Sequence, residues 1–258
     1  MRHSLATLVL LSALPALAQG VERHAYLDIY RFTPSLSGHF VGESDGNPID
    51  LDFQKDLALG RDKTRIGLGV EYQGPRFGLE LSTDGQDYAG RNIVSKSVSV
   101  EGETFKVNTL VLSRLKTTTT TFNWTIRYLT WPKFWLGLDL GARVTTLQFH
   151  LDGLNAFSGA TVTADFKAPV PTPQLGPSLG FTAFDGRLQG RGLVHLLSFK
   201  GASYTHVGAD LRYFPLSWMG VRVFTDSERF RVPKGSLTSD LDSTLDRTGT
   251  GFGVVARF

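Results

Sequence analysis

The sequence predicts an all-β fold: a transmembrane antiparallel up-and-down β-barrel of about ten strands, preceded by a cleaved signal peptide. Three observations predict it. Apolar residues recur at every second position, the period of a strand with two unlike faces. The connections between these runs are tight at one end and long at the other, the layout of a barrel set in a membrane. And no segment after the first 18 residues approaches the run of ~20 apolar residues a spanning helix needs. The mean hydropathy is close to zero, the value that alternating apolar and polar strand positions average to. There is no Cys, so an exported chain of this size is held by packing and backbone pairing and not by disulfides.

The first stretch, MRHSLATLVLLSALPALAQG, has a basic start at Arg2, an apolar run from Leu5 to Leu14 and the small-residue pattern Ala16-Leu17-Ala18. That is the pattern of a secretory signal peptide cut after Ala18, with residues 19–258 as the barrel domain. Its apolar run is too short to span a bilayer. No Cys follows the cleavage position, which closes the lipid-anchored route. Of the 27 Lys and Arg, only Arg2 leaves with the signal, so 26 stand against 24 acids. A charge that balanced excludes a nucleic-acid partner.

Ten strands are expected, at about 25–41, 61–73, 76–91, 107–130, 133–152, 172–184, 187–200, 203–215, 220–232 and 245–258. The second sets Ile66, Leu68, Val70 and Tyr72 against Arg65, Gly67, Gly69 and Glu71. The third sets Phe77, Leu79 and Leu81 against Gly78, Glu80, Ser82 and Asp84. The fourth, with its run of five threonines, sets Phe122, Trp124, Ile126 and Tyr128 against Asn123, Thr125 and Arg127; Thr is a good strand former. The fifth sets Phe134, Leu136, Leu138, Leu140, Ala142 and Val144 against Gly137, Asp139, Gly141 and Arg143. The eighth sets Val207, Ala209, Leu211 and Tyr213 against His206, Asp210 and Arg212. The first, seventh and ninth alternate less cleanly, so eight or twelve strands also remain compatible. Gly74-Pro75, Thr130 to Pro132, Asp185-Gly186 and Pro215 to Met219 are tight turns, whereas 42–60, 92–106, 153–171 and 233–244 are long polar loops.

Aromatic residues gather at the tight-turn rim. Tyr72 and Phe77 flank the first turn; Tyr128, Trp131, Phe134 and Trp135 the second; Phe184 the third; Tyr213, Phe214 and Trp218 the fourth; and Phe258 falls at the same rim. Such rings favour the membrane–water boundary. Phe252, Val254, Ala256 and Phe258 form the apolar face of a last strand that pairs with the first, since a sheet in lipid cannot keep a free edge.

Together these features resemble Gram-negative outer-membrane β-barrel proteins. The resemblance is to the class and names no subfamily. It implies outer-membrane lipid and lipopolysaccharide as surroundings and, through the last strand, the barrel-assembly machinery as a partner. It leaves the oligomeric state open.

If the apolar positions face lipid, Glu71, Glu80, Asp84, Arg127, Asp139, Arg143, Asp210, Arg212, Arg222 and Arg257 face the lumen, with Arg187, Arg191 and His195. Charges there need partners; Glu80 with Arg127, Asp139 with Arg143, and Asp210 with Arg212 are the expected groupings. A barrel of about ten strands is narrow enough for such side chains to fill. The leading expectation is a structural or small-pore, porin-like protein with long outer loops, with a loop-borne adhesin as the alternative. A barrel-embedded hydrolase is a weaker one. Asp84, Asp87, His206 and Asp210 resemble the acidic and Asp–His residues of omptin proteases but depart from their Asp-x-His spacing. His195 and Ser198 depart likewise from the His-x-Ser pair of lipid A deacylases. No catalytic residue, prosthetic group, cofactor or metal site is assigned. The acidic stretch at 45–52 lacks EF-hand spacing and is expected to be a solvated loop.

Overall fold

In a computed structural model, the residues described are 23–44, 47–59, 61–62, 66–93, 98–100, 103–105, 108, 110–154, 158–199, 201–232 and 242–258. The expected signal peptide, and most of the expected loop at 233–244, lie outside them. Every regular element among these residues is a strand. Ten of them form the barrel wall: β1 (His24–Ser44), β2 (Ile66–Gln73), β3 (Phe77–Ile93), β4 (Leu110–Trp131), β5 (Phe134–Leu154), β6 (Thr161–Ala183), β7 (Leu188–Phe199), β8 (Ala202–Tyr213), β9 (Met219–Val232) and β10 (Asp242–Arg257). Each pairs antiparallel with the next, and β10 returns to β1 from Tyr26–Arg257 to Val41–Asp242, which closes the sheet.

Closure fixes the two faces. Leu27 and Ile29, Leu68 and Val70, Leu79 and Leu81, Phe122, Trp124 and Ile126, Val207 and Leu211, Val221 and Val223, and Phe252 and Val254 all point outward and are exposed. The belt ends abruptly on the long-loop side, where the next outward positions are Arg31, Thr83, Thr120, Thr205, Thr225 and Thr250. An apolar belt with a polar margin is the surface a barrel presents to lipid.

The wall is much taller than the belt. At about 3.3 Å per residue and a tilt near 40°, the 22 residues of β4 rise roughly 55 Å, about twice what a bilayer core requires. The surplus stands on the long-loop side, and part of what reads as loop is wall. Strand β6 begins at Thr161 and not at 172, pairing with β5 from Thr161–Leu154 onward. The misleading feature is its four prolines, 169, 171, 173 and 177. They share one parity, so their missing N–H groups face one neighbour. The ladder with β5 is continuous, whereas that with β7 begins only at Ser178–Leu193, so the prolines face the side where no ladder forms.

The segment expected as the loop 42–60 also folds. Asn47–Asp52 pairs back onto the outer end of β1, and Arg61–Asp62 pairs with β3. Between them, residues 53–59 cross the outer mouth. Asp52 Oδ1 accepts from the amides of Gln54 and Lys55, so this acidic group caps a turn. Leu51, Leu57 and Leu59 bury themselves against the lumen-facing Leu36, Tyr88, Val111, Leu115 and Leu151. Asn92 donates to the carbonyls of Lys55 and Asp56, and Gln54 to that of Leu36, which ties the cap to the wall. The expected loop 92–106 contains a small hairpin, Val98–Val100 with Glu103–Phe105.

The other end has an apolar floor of Tyr26, Val255 and Phe214, whose ring, expected at the membrane boundary, turns inward because it shares the parity of Arg212 and is fully buried. The wall thus encloses an outer apolar cap, a polar middle and an inner apolar floor.

Gly90 is the close-approach point under the cap: a Cβ there would lie 1.9 Å from the Leu57 carbonyl oxygen. Gly90→Val is expected to lift the cap, costing about 1–3 kcal/mol as overpacking does. Limited proteolysis of the refolded protein should then cut near residues 53–59, while the heat-modified gel shift of the barrel persists.

Candidate functional site

The polar middle is built by the inward parity of all ten strands, nine of which supply its charged groups, because a strand sends alternate side chains to opposite faces. Eight carboxylates lie in or border it: Asp28, Glu71, Glu80, Asp84, Asp139, Asp210, Asp226 and Glu228. Six guanidiniums share the space, Arg143, Arg191, Arg212, Arg222 and Arg247 in ion pairs and Arg127 on the Gly74 carbonyl. The described interior therefore carries a formal excess of two negative charges, with two histidines, His195 and His206, buried among them.

The pairs form three groups. Near the floor, Arg212 meets Glu71 at 2.6 Å, Asp210 at 3.0 Å and Asp28 at 3.7 Å, and Arg222 reaches Asp28 at 3.2 Å and also binds Asp210. At mid-height, Arg191 crosses the lumen from β7 to Glu80 on β3 and Asp139 on β5, both at 2.9 Å. Asp139 is fully buried and also accepts from Thr125 and Ser178, each at 2.7 Å. Toward the cap, Arg247 binds Glu228 at 3.0 Å and Asp84 at 3.5 Å, and Glu228 also pairs with Arg143. Aromatic faces cover the guanidiniums, Arg212 over Tyr26, Arg222 over Phe224 and Arg247 over Phe32.

Two carboxylates lean on histidines. His195 Nε2 faces Asp139 at 3.2 Å, and His206 Nε2 faces Asp226 at 2.7 Å. The two rings face each other through their Nδ1 atoms, 3.1 Å apart. Ligand atoms of His206, Asp226 and Glu228 also lie within 4.8 Å of one another. Beside them is a cavity of about 90 Å³, lined among others by Asn123, Gln174, His195, His206 and Asp226.

Several sequence expectations change. Glu80 pairs with Arg191 and not with Arg127, which donates to the Gly74 carbonyl and lies over Trp135, 4.6 Å from the ring centroid. Asp139 and Arg143 have separate partners, because long side chains reach across a narrow lumen as readily as to the adjacent strand. Asp210 and Arg212 do pair. Arg257 sits at the inner rim on Phe214 and donates to the carbonyls of Ser217 and Gly186. Arg187 is an exposed turn residue. Trp135, expected at the membrane boundary, is 8% exposed and faces the lumen, since it shares the parity of Gly137 and Asp139. Gly180 makes room for its ring; a Cβ there would lie 2.3 Å from it. Tyr128, Trp131, Tyr213, Trp218, Phe77 and Phe258 are outward or exposed at the tight-turn rim, with Tyr72 and Phe134 half-buried.

The omptin-like residues do not assemble. Asp87 pairs with Arg114, Asp84 with Arg247, His206 with Asp226, and Asp210 with two arginines. Sequence reasoning missed Asp28, Asp226, Glu228 and Arg247. Asp28, Asp226 and Glu228 lie on strands whose inward faces carry Tyr30, Phe32 and Phe224, so apolarity alone does not reveal the lumen face there. Acid–base content on one parity of 222–228 is the signal that could have found part of them.

Outside the apolar belt, His150 lies between Asp165 at 2.7 Å and Asp152 at 3.0 Å. The Asp165 carboxylate, bonded to its Nδ1, raises the imidazole above its ordinary pKa.

No protein-family model matches the chain, and no curated protein matches it in sequence. Among solved structures, the outer-membrane protease OmpT from Escherichia coli superposes with a TM-score of 0.65 at 11% identity, covering 93% of this chain and all of that one. Ail of Yersinia pestis gives 0.33 at 12% identity over 92% of this chain and all of its own. The translocator domain of the autotransporter NalP from Neisseria meningitidis gives 0.37 at 10% over 96% and 94%. The OmpT superposition shows the fold: a ten-stranded barrel of the outer-membrane type.

Two outcomes are expected. Arg212→Ala strands three carboxylates and should cost about 3–5 kcal/mol, the range for breaking a buried pair. Arg229→Ala, removing an exposed partner of Asp246, should cost less than about 1 kcal/mol; guanidinium unfolding of both variants in micelles checks the contrast. His150 should titrate above 6.5 by side-chain NMR, and Asp165→Asn should lower its midpoint. Because the folded pKa is the raised one, its contribution is present below pH 6.5 and fades as pH rises through that midpoint.

Proposed function

We propose that this protein is an integral outer-membrane barrel that does not conduct, and that it acts through the wall and hairpins standing outside the membrane, as a structural or surface-binding module. The observation that supports this reading is the filling of the lumen at three levels. Leu51, Leu57 and Leu59 occupy the outer mouth, paired charges the middle, and Tyr26, Phe214 and Val255 the inner end. A porin-like channel would need a continuous aqueous path through all three.

The protruding wall supplies the surface. Its outward residues include Thr118, Thr163, Asp165, Lys167, Ser227 and Arg229, polar groups beyond the Leu and Phe belt. In this reading the belt contacts outer-membrane lipid and lipopolysaccharide, and β10 with its apolar Phe252, Val254 and Phe258 is the element offered to the barrel-assembly machinery. A hydrolase gains no support, because Asp84, His206 and Asp210 each have other partners.

The expected result in a planar bilayer is silence from inserted protein; discrete conductance steps would overturn the sealed-lumen reading. Cutting the β5–β6 hairpin back to the Val144–Pro171 pair should leave assembly unchanged and abolish surface attachment by expressing cells. Unchanged attachment would remove the surface-binding role.

A further inference from the structure

We propose that the lumen holds one divalent transition-metal ion, bound by the Nδ1 atoms of His195 and His206. Each imidazole turns its Nε2 to a carboxylate, Asp139 at 3.2 Å and Asp226 at 2.7 Å. An Nε2–H donated to a carboxylate leaves a lone pair on Nδ1, and here both lone pairs face each other across 3.1 Å. Two such acceptors repel unless a cation lies between them. A carboxylate behind each imidazole is how metal-binding histidines are oriented and made more basic. Two Zn–N bonds of 2.0–2.1 Å at a tetrahedral angle require a separation of about 3.3 Å, close to the one observed.

Two further observations point the same way. The side-chain carbonyl oxygens of Asn123 and Gln174 are buried without a hydrogen-bond partner and belong to residues lining the cavity beside the rings. Unpartnered oxygen acceptors lining the cavity are of the kind that completes a coordination shell. The described interior also has two more carboxylates than guanidiniums; Asp226 is the one of the eight with no arginine ion pair among the described residues, and Asp139 shares Arg191 with Glu80, so both groups behind the histidines lie where arginine is short. A divalent ion neutralises that excess. One proton shared between the rings would leave a negative charge uncompensated in a confined space, which is unfavourable. The ion belongs on the Nδ1 side, because Glu228 is already held by Arg143, Arg247 and the Tyr204 hydroxyl. Imidazole nitrogen with amide oxygen favours zinc, copper, nickel or cobalt over magnesium or calcium.

The site would act as a staple. Asp139, His195, His206 and Asp226 come from β5, β7, β8 and β9, on both sides of the short β6–β7 ladder. The ion would be taken up as the barrel forms, before the cap closes over it.

The test is to refold the full chain in micelles with Zn²⁺ alone, pass it through gel filtration with a chelator, and measure zinc per folded chain. One ion per chain is expected, and refolding with Co²⁺ should give the intense visible absorption of a tetrahedral site. His195→Gln and His206→Gln should each reduce retention at least tenfold, and Asp226→Asn should weaken it ten- to a hundredfold. His150→Ala, which removes the surface histidine, should retain zinc fully. Failure of the refolded wild type to retain zinc would overturn the proposal, a proton then bridging the rings. So would retention by both histidine variants equal to that of the wild type, which would place the ion elsewhere. If neither variant folds, X-ray absorption on the zinc-loaded wild type decides: two imidazole nitrogens support the site, and a shell with fewer overturns it.

Discussion

In hydrocarbon an unpaired backbone N–H or C=O costs several kcal/mol, so a sheet that crosses a membrane must pair both of its edges. In this chain that constraint is met where Tyr26 to Val41 of β1 meet Asp242 to Arg257 of β10. Once the seam closes, each strand has one lipid face and one lumen face. The register also becomes costly to change, because a slip of one residue exchanges the two faces. A slip in β8 would carry Arg212 into the belt and Leu211 into the lumen. An arginine on the lipid face costs about 2–4 kcal/mol at the midplane, and its stranded lumen partners add to that. The ion-paired interior and the apolar belt therefore specify the same register.

The lumen's contents follow from its width. Ten strands leave too little room for bulk water to screen the interior charges and too much for aliphatic side chains to fill it all. Long guanidiniums reach across, as Arg191 does to Glu80 and Asp139, while aromatic faces shield them. Apolar groups concentrate at the two ends, where Leu57, Leu59 and Tyr88 above and Phe214 and Val255 below keep solvent from the middle. Removing solvent strengthens each ion pair and raises the penalty for an unpaired charge. That is why a two-carboxylate excess in the lumen, with Asp226 and Asp139 leaning on His206 and His195, matters chemically.

The wall is not uniform. The β6–β7 ladder runs only from Ser178–Leu193 to Ala183–Leu188, beside a β5–β6 ladder that continues to Leu154–Thr161. Prolines at 169, 171, 173 and 177 deny amide donors to any strand approaching that edge, the device by which natural sheets resist edge-to-edge association. A side chain spans the same region instead: Gln174 of β6 reaches the Tyr204 hydroxyl on β8.

The period of two, the tight turns and the apolar faces of 66–72, 77–81, 122–128, 136–144, 207–213 and 252–258 determined the fold class, the ten strands and most of the lumen parity. Those features are local, since alternation and turn chemistry act over a few residues. The outer half of β6 was hidden, because proline reads as a strand breaker until the neighbouring edge is known to be unpaired. The lumen faces of β1 and β9 were obscured because aromatic rings that cover arginines look, in sequence, like rings that meet lipid. Tertiary structure alone decided which acid meets which base, that residues 53–59 close the mouth, and that two histidines eleven residues apart meet through Nδ1. Pairing across a lumen depends on strand tilt and side-chain reach, and neither is encoded in the spacing along one strand.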